Sequence, residues 1–252
     1  MSRPLVLIPS SKAKAEGGNG PAYEAAPSLK DGPLADARRE VLHALRAAAE
    51  ELDDDGITKL CGVKADAVAQ QREVLADLAS APTMAAHQRY TGVVHRFAEL
   101  DTVDPGRAGV DVAIFGGLLG SALLDEAVPD YRLEVTGRMP ALGVLGTWWR
   151  HRLGEPLRDL AAGRLVWDLL PGEFARLWPE AERDGVDVVG VRFERADGRA
   201  APSASAKVAK GQLLRRLLAA PTLGPDDLVG TDALDGWRLE LRDGGLAAVV
   251  HA

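Results

Sequence analysis

The stretch that most limits what this chain can fold into is Val112-Ala113-Ile114-Phe115, followed at once by glycines at 116, 117 and 120. An apolar run with no polar face is buried on both sides, which points to an interior strand. Glycine lacks a Cβ, so the backbone after that strand can approach another chain segment or a ligand closely. The stretch from Val110 to Pro140 then closes on Pro129-Asp130-Tyr131-Arg132. Polar groups just beyond the end of a buried strand are where α/β proteins tend to build sites. A second run of this kind, Leu5-Val6-Leu7-Ile8, ends at Pro9, and Ser10-Ser11-Lys12-Ala13-Lys14 emerges from it.

The remaining elements are read from period and punctuation. Gly17, Gly18, Gly20 and Pro21 predict an irregular loop that tertiary contacts must hold. Ala37, Val41, Leu45 and Ala48 predict a helix from about Leu34 to Leu52, with Arg38, Arg39, Glu40 and Glu51 facing out and Asp53-Asp54-Asp55-Gly56 stopping it. Residues 57–78 contain Leu60-Cys61-Gly62-Val63 and a helix carrying Ala67, Val68, Val74 and Leu75. This is similar to a helix-hairpin-helix, whose turn presents backbone N–H groups to a DNA phosphate. Lys64 stands where such a hairpin has its second glycine, and an ordinary helix-turn-helix packing unit explains the same pattern. Further helices are expected from Val93 to Leu100, from Leu142 until Pro156, and from Ala204 to Ala219. Of the adjacent Trp148 and Trp149, one is expected in the core and the other over a cleft or a neighbouring element. Strands are expected at Arg164 to Leu169 and Val186 to Glu194, with a turn at Asp197-Gly198 and a last hairpin, Trp237 to Leu241 with Leu246 to His251, around Asp243-Gly244-Gly245. Strands and helices are mixed rather than strictly alternating. That predicts an α+β fold, one domain over residues 1–252, with a mixed or partly antiparallel sheet flanked by helices.

Composition removes several functions. No apolar run approaches the roughly 18 residues of a membrane span, and the N-terminus is too short in apolar residues for a secretory core. A cytoplasmic monomer is expected. Cys61 is the single cysteine, so neither an intrachain disulfide nor a cysteine metal cluster can form. His87 and His95 are eight apart without carboxylates at ligand spacing and are expected at the surface; no metal and no cofactor is assigned. The net charge of −7 argues against a uniformly basic nucleic-acid binder. The exception is a window with Arg192, Arg195, Arg199, Lys207, Lys210, Arg215 and Arg216, whose plain reading is a solvated hairpin and helix face.

Five motifs in order resemble the bacterial YaaA family of peroxide-stress proteins: Pro9-Ser10-Ser11-Lys12, Tyr90-Thr91-Gly92, Gly116-Gly117-Leu118-Leu119-Gly120, Asp130-Tyr131-Arg132-Leu133-Glu134, and Lys207-Val208-Ala209-Lys210-Gly211. The chain resembles a divergent member, with Ala122-Leu123 where the family has Arg-Pro and Val135-Thr136 where it has Met-Gly. The resemblance implies a compact α+β fold with a basic cleft and a helix-hairpin-helix element. It implies protection against hydrogen peroxide, with lowered free iron and DNA association. The residues do not themselves carry iron storage, since no Glu-x-x-His pair is present, nor peroxide reduction by Cys61, which lacks a resolving partner.

If the motifs converge, Lys12, Tyr90, Arg132, Lys207 and Lys210 share a cleft with backbone donors from Gly117 and Gly120. Such a set is a phosphate site: lysines as point charges, an arginine for bidentate pairing, glycines for close approach. Lys59, Gly62 and Lys64 would be the DNA contacts of the hairpin. The expected partner is DNA or a nucleotide-like anion. The alternative is an enzyme on a small phosphorylated or nucleobase-containing substrate, with Lys12 or Lys207 as nucleophile or base and Arg132 as its anion clamp. The competing structural reading pairs these cations with Asp125, Glu126, Glu134 and Asp168.

Overall fold

The computed structural model describes residues 2–230, 234–242 and 245–250. The centre is a mixed sheet of seven strands among the described residues. They are β1 (Leu5–Pro9), β2 (Asp111–Gly116), β3 (Gly120–Leu123), β4 (Leu165–Asp168), β5 (Asp187–Glu194), β6 (Trp237–Arg242) and β7 (Gly245–Val250). Their spatial order is β6-β7-β5-β4-β1-β2-β3. Pairings along β7-β5-β4-β1-β2 are parallel, and the antiparallel pairs β6–β7 and β2–β3 form the edges. The sheet is thus mixed, as expected, but mainly parallel. The two apolar runs explain this: Leu5 to Ile8 and Val112 to Phe115 are almost entirely inaccessible, as parallel strands covered on both faces must be. Leu5 and Leu246 belong to the same apolar core.

Helices flank the sheet. Those of five residues or more are α1 (Ala35–Glu51), α2 (Asp54–Cys61), α3 (Val68–Ala76), α4 (Val93–Phe97), α5 (Leu145–Ala161) and α6 (Ser203–Ala219). In α1 the expected outward Arg38 is buried, at 5% exposure. It precedes Val41 by three and Leu45 by seven, so it lies on the apolar face, where it donates to the carbonyls of Leu119 and Ser121 and pairs with Glu126. Asp53 does more than stop α1: its carboxylate accepts from the Gly56 N–H at 2.8 Å and caps α2. Pro156 does not end its helix, because α5 continues through it to Ala161. Leu153, Leu157 and Ala161 stay buried on one stripe, and that packing outweighs a proline cost of about 3 kcal/mol. Trp148 and Trp149 are both buried, edge to face at 4.8 Å. The Arg152 guanidinium covers the Trp148 ring at 3.7 Å.

Asp197-Gly198 forms its turn, with Gly198 at φ 79°, but only one bridge, Glu194 to Ala200, precedes α6. In the last hairpin the strands pair as expected, while Asp243, Gly244 and His251 lie outside the described residues. No helix among the described residues is long and apolar enough to cross a membrane.

Candidate functional site

Where β1 leaves the sheet, a cleft of about 320 Å³ opens at the carboxyl ends of the parallel strands. Its walls are the segment from Pro9 to Lys14, Gly92 to His95 at the start of α4, Tyr131 to Glu134, Pro171 to Phe174 after β4, and Lys207 on α6. Lys12, Arg132 and Lys207, far apart in sequence, therefore meet, and Lys14 joins them. Glu134 and Glu173 are the carboxylates on the same walls.

The wall built from residues 9–15 is rigid for identifiable reasons. The Ser10 N–H donates to the Phe115 carbonyl at 2.7 Å, extending the β1–β2 pairing past Pro9. The Ala15 N–H donates to the Arg89 carbonyl and the Thr91 N–H to the Ala13 carbonyl, so Lys14 is bridged to Tyr90 on both sides. Arg89, fully buried, reaches the carbonyls of Ala15, Gly17, Pro82 and Val128. That is the tertiary contact which holds the glycine loop from Gly17 to Gly20. Gly116 earns its place by close approach: a Cβ there would sit 2.9 Å from Ser10 Oγ and 3.2 Å from Tyr131 Oη.

Lys14 is half-buried, with Nζ donating to the Ser11 carbonyl at 2.9 Å and lying 4.1 Å from the centre of the Tyr131 ring. Burial pushes its ammonium down to about 7; Asp130 opposes the shift, Arg132 and Arg89 add to it, and Glu134 opposes it weakly. Behind it, Tyr90 and Tyr131 share a hydroxyl hydrogen bond of 2.8 Å, and burial raises both phenols. His95 is 3% exposed, and neither ring nitrogen has a hydrogen-bond partner. Burial, then the Lys14 charge, push it down to about 3, so its imidazole is neutral.

The other expected residues are placed differently. Tyr90 is buried behind Tyr131 rather than on the cleft wall. The Trp149 indole N–H donates to the Gly117 carbonyl at 2.7 Å, and a Cβ on Gly120 would meet the Trp149 ring at 2.6 Å, so Gly120 admits the tryptophan. A Cβ on Gly117 would instead approach Leu133 and the Glu134 carbonyl, and neither glycine lines the cleft. Lys210 is buried and donates to the Leu169 carbonyl. It borders an adjoining groove with Lys207 and Phe193, and burial pushes it down to about 8 against the pull of Asp168. Lys12 pairs with Glu134, as the structural reading expected. Glu126 and Asp168 instead engage Arg38 and Arg183. Both histidines expected at the surface are buried, His87 with Nδ1 3.1 Å from the Leu100 carbonyl oxygen.

In the segment 57–78, Gly62 ends α2 in the left-handed conformation at φ 62°, and a short 3₁₀ turn leads into α3. Gly62 and Lys64 are exposed. The Glu134 side chain lies against Gly62, and Lys59 pairs with Asp55 at 2.5 Å. Cys61 touches the cleft, but burial, reinforced by Glu134, pushes its thiol up to about 12, an inert state.

The missed residues are Lys14, His95 and Arg89. Lys14 had a signal, because in an extended segment positions 12 and 14 share a side. His95 and Arg89 had none, since only the packed neighbours decide that they are buried.

A profile of the family described as peroxide stress protein YaaA matches residues 5–242. The chain belongs to this family. YaaA membership supports a role related to peroxide stress. Among similar proteins, a UPF0246 protein of Streptomyces coelicolor is 33% identical, covering 89% of this chain and 87% of its own. A UPF0246 protein of Corynebacterium efficiens is 30% identical over 86% of each chain, and one of Lactobacillus delbrueckii is 26% identical over 84% of each.

Proposed function

We propose that the chain acts in peroxide stress by binding a phosphate-bearing ligand, DNA or a nucleotide-like molecule, in the cleft between residues 9–14 and 131–134, the whole chain serving as one domain. The observation that carries this reading is the meeting of Lys12, Lys14, Arg132 and Lys207 at one opening. Lys12, Arg132 and Lys207, joined by Lys14 in its protonated fraction, outnumber the two wall carboxylates in a chain whose total charge is −7. Arg132, with no acidic partner within ion-pair distance among the described residues, supplies the planar fork for a phosphate. The left-handed turn at Gly62 supports a helix-hairpin-helix role for Lys59, Gly62 and Lys64. Glu134 beside Gly62 and the aspartates around Lys59 oppose an anion there, so the cleft is the principal contact. His95, Cys61, Glu134 and Glu173 lie on its walls, but among the described residues no three such side chains are grouped to hold a metal ion; any lowering of free iron therefore acts through the bound ligand.

The test is fluorescence anisotropy with a short duplex, a single strand and a mononucleotide competitor across a salt series. Arg132→Ala and Lys207→Ala should each weaken binding about tenfold, and each should lower the log–log salt slope by about one. Binding indifferent to both substitutions sinks the reading.

Lys14 specifically favours a second reading, an enzyme on a small phosphorylated or nucleobase-containing substrate. A desolvated amine near neutrality is a nucleophile or base at working pH, a role that moves from Lys12 and Lys207 to Lys14.

A further inference from the structure

Two side chains in the cleft, His95 and Lys14, have chemistry that contacts within the protein leave wholly or partly unused. His95 is almost completely buried, lines the cleft, and leaves both ring nitrogens unpartnered. A buried polar group without a partner is destabilising, so an imidazole kept in that state fits a ligand that supplies the missing bond. Lys14 lies close enough to His95 for its charge to be felt there. Its backbone is clamped on both sides, and its Nζ makes one bond to a carbonyl, over the face of Tyr131. Of the other lysines of this region, Lys12 is engaged with Glu134 and Lys210 with the Leu169 carbonyl outside this cleft, while Lys207 lines the same cleft.

We propose that Lys14 captures the carbonyl carbon of a small phosphorylated aldehyde or ketone as an imine, while the neutral His95 imidazole donates a hydrogen bond to the carbonyl oxygen. The assignment rests on the anion-cleft reading, since Arg132 and Lys207 at the rim would hold the phosphate. In the first step the Lys14 nitrogen lone pair forms a C–N bond, and the carbonyl π pair moves to oxygen, giving a carbinolamine. In the second, the C–O bond breaks, and oxygen leaves as water with the two hydrogens that were on the amine. The balance is one amine plus one carbonyl to one imine plus one water, with no change of oxidation state and no co-reactant. The groups facing Lys14 are Asp130, Glu134, Arg132, Arg89 and His95, with the Tyr90 and Tyr131 rings. Burial leaves a large share of Lys14 as free amine at neutral pH, whereas an ordinary lysine is almost wholly protonated there.

The experiment treats the full chain with glyceraldehyde 3-phosphate, reduces with borohydride, and maps the adduct by peptide mass. The expected result is one adduct on Lys14, formed with a pH midpoint near 7 and slowed by inorganic phosphate. Lys14→Arg should abolish it, and His95→Gln should slow it about tenfold or more without moving the midpoint. Label on Lys12, Lys207 or Lys210 with Lys14 unmodified, or a midpoint near that of a free lysine, overturns the assignment. If phosphate raises the melting temperature but Lys14 takes no label, the inference falls and the anion cleft stands. If phosphate neither stabilises nor competes, both fall. Should Lys14→Arg fail to fold, the adduct position and pH profile of the unaltered protein decide.

Discussion

Lys14 and Lys210 are both lysines that the fold desolvates, down to about 7 and about 8, yet they sit in opposite situations. Lys210 is buried under β4, its ammonium donating to the Leu169 carbonyl with Asp168 opposing the shift. Lys14 also donates to one carbonyl, that of Ser11, but it stands at an opening, near an aromatic face and a cleft whose His95 imidazole is unpartnered. A depressed lysine is therefore not by itself a sign of chemistry. The distinction is whether a ligand can reach the nitrogen, and only the surroundings tell that.

The contrast can be tested from the largest expected effect downward. Arg89→Ala should remove the frame of the Lys14 wall. It strips the bonds to the Ala15, Gly17 and Val128 carbonyls, and at about 1.5–3 kcal/mol for a bond to a charged donor the loss should reach at least about 3 kcal/mol in urea denaturation. Protease cleavage between Ala15 and Gly20 should appear with it; an intact, equally stable variant would show that the wall holds itself. Lys210→Met should cost about 1–3 kcal/mol, because it leaves the Leu169 carbonyl unsatisfied. Lys14→Met should cost less than Lys210→Met or even stabilise, since it removes a desolvated charge; equal losses would erase the distinction between the two sites.

A pH series sharpens the same point. Both lysines have folded values below the unfolded 10.5, so between those values the unfolded chain binds more protons and stability rises with pH. The rise due to Lys14 should begin near 7 and that due to Lys210 near 8, each ending as pH approaches the unfolded value. Denaturation midpoints of the two methionine variants against the unaltered chain check this, and a falling difference would reverse the assigned sign. Lys12 sets the lower bound: its own side chain is largely in solvent while it pairs with Glu134, so Lys12→Ala should change stability by less than about 1 kcal/mol.

Much of the frame could be read from residue order. The interior strands β1 and β2, the helices α1 and α6, and the trio Lys12, Arg132 and Lys207 that lines the cleft were all visible as motifs or periods. The burial of Arg38 and the paired tryptophans was not. A charged residue on an apolar stripe is read as solvent-facing until carbonyls such as those of Leu119 and Ser121 are brought to it, and two tryptophans pack together only where Gly120 yields room.

By itself the sequence determined the family, the buried strands and the end of the sheet at which polar residues collect, because apolar runs and ordered motifs are local properties. The tertiary structure alone decided that the sheet is mainly parallel, that Gly120 makes room for Trp149, and that Lys14 and His95 line one cleft. Those are facts of proximity. Burial shifts a lysine, leaves an imidazole unpartnered or satisfies an arginine only through neighbours that lie far along the chain, and the chain order does not say which neighbours those are.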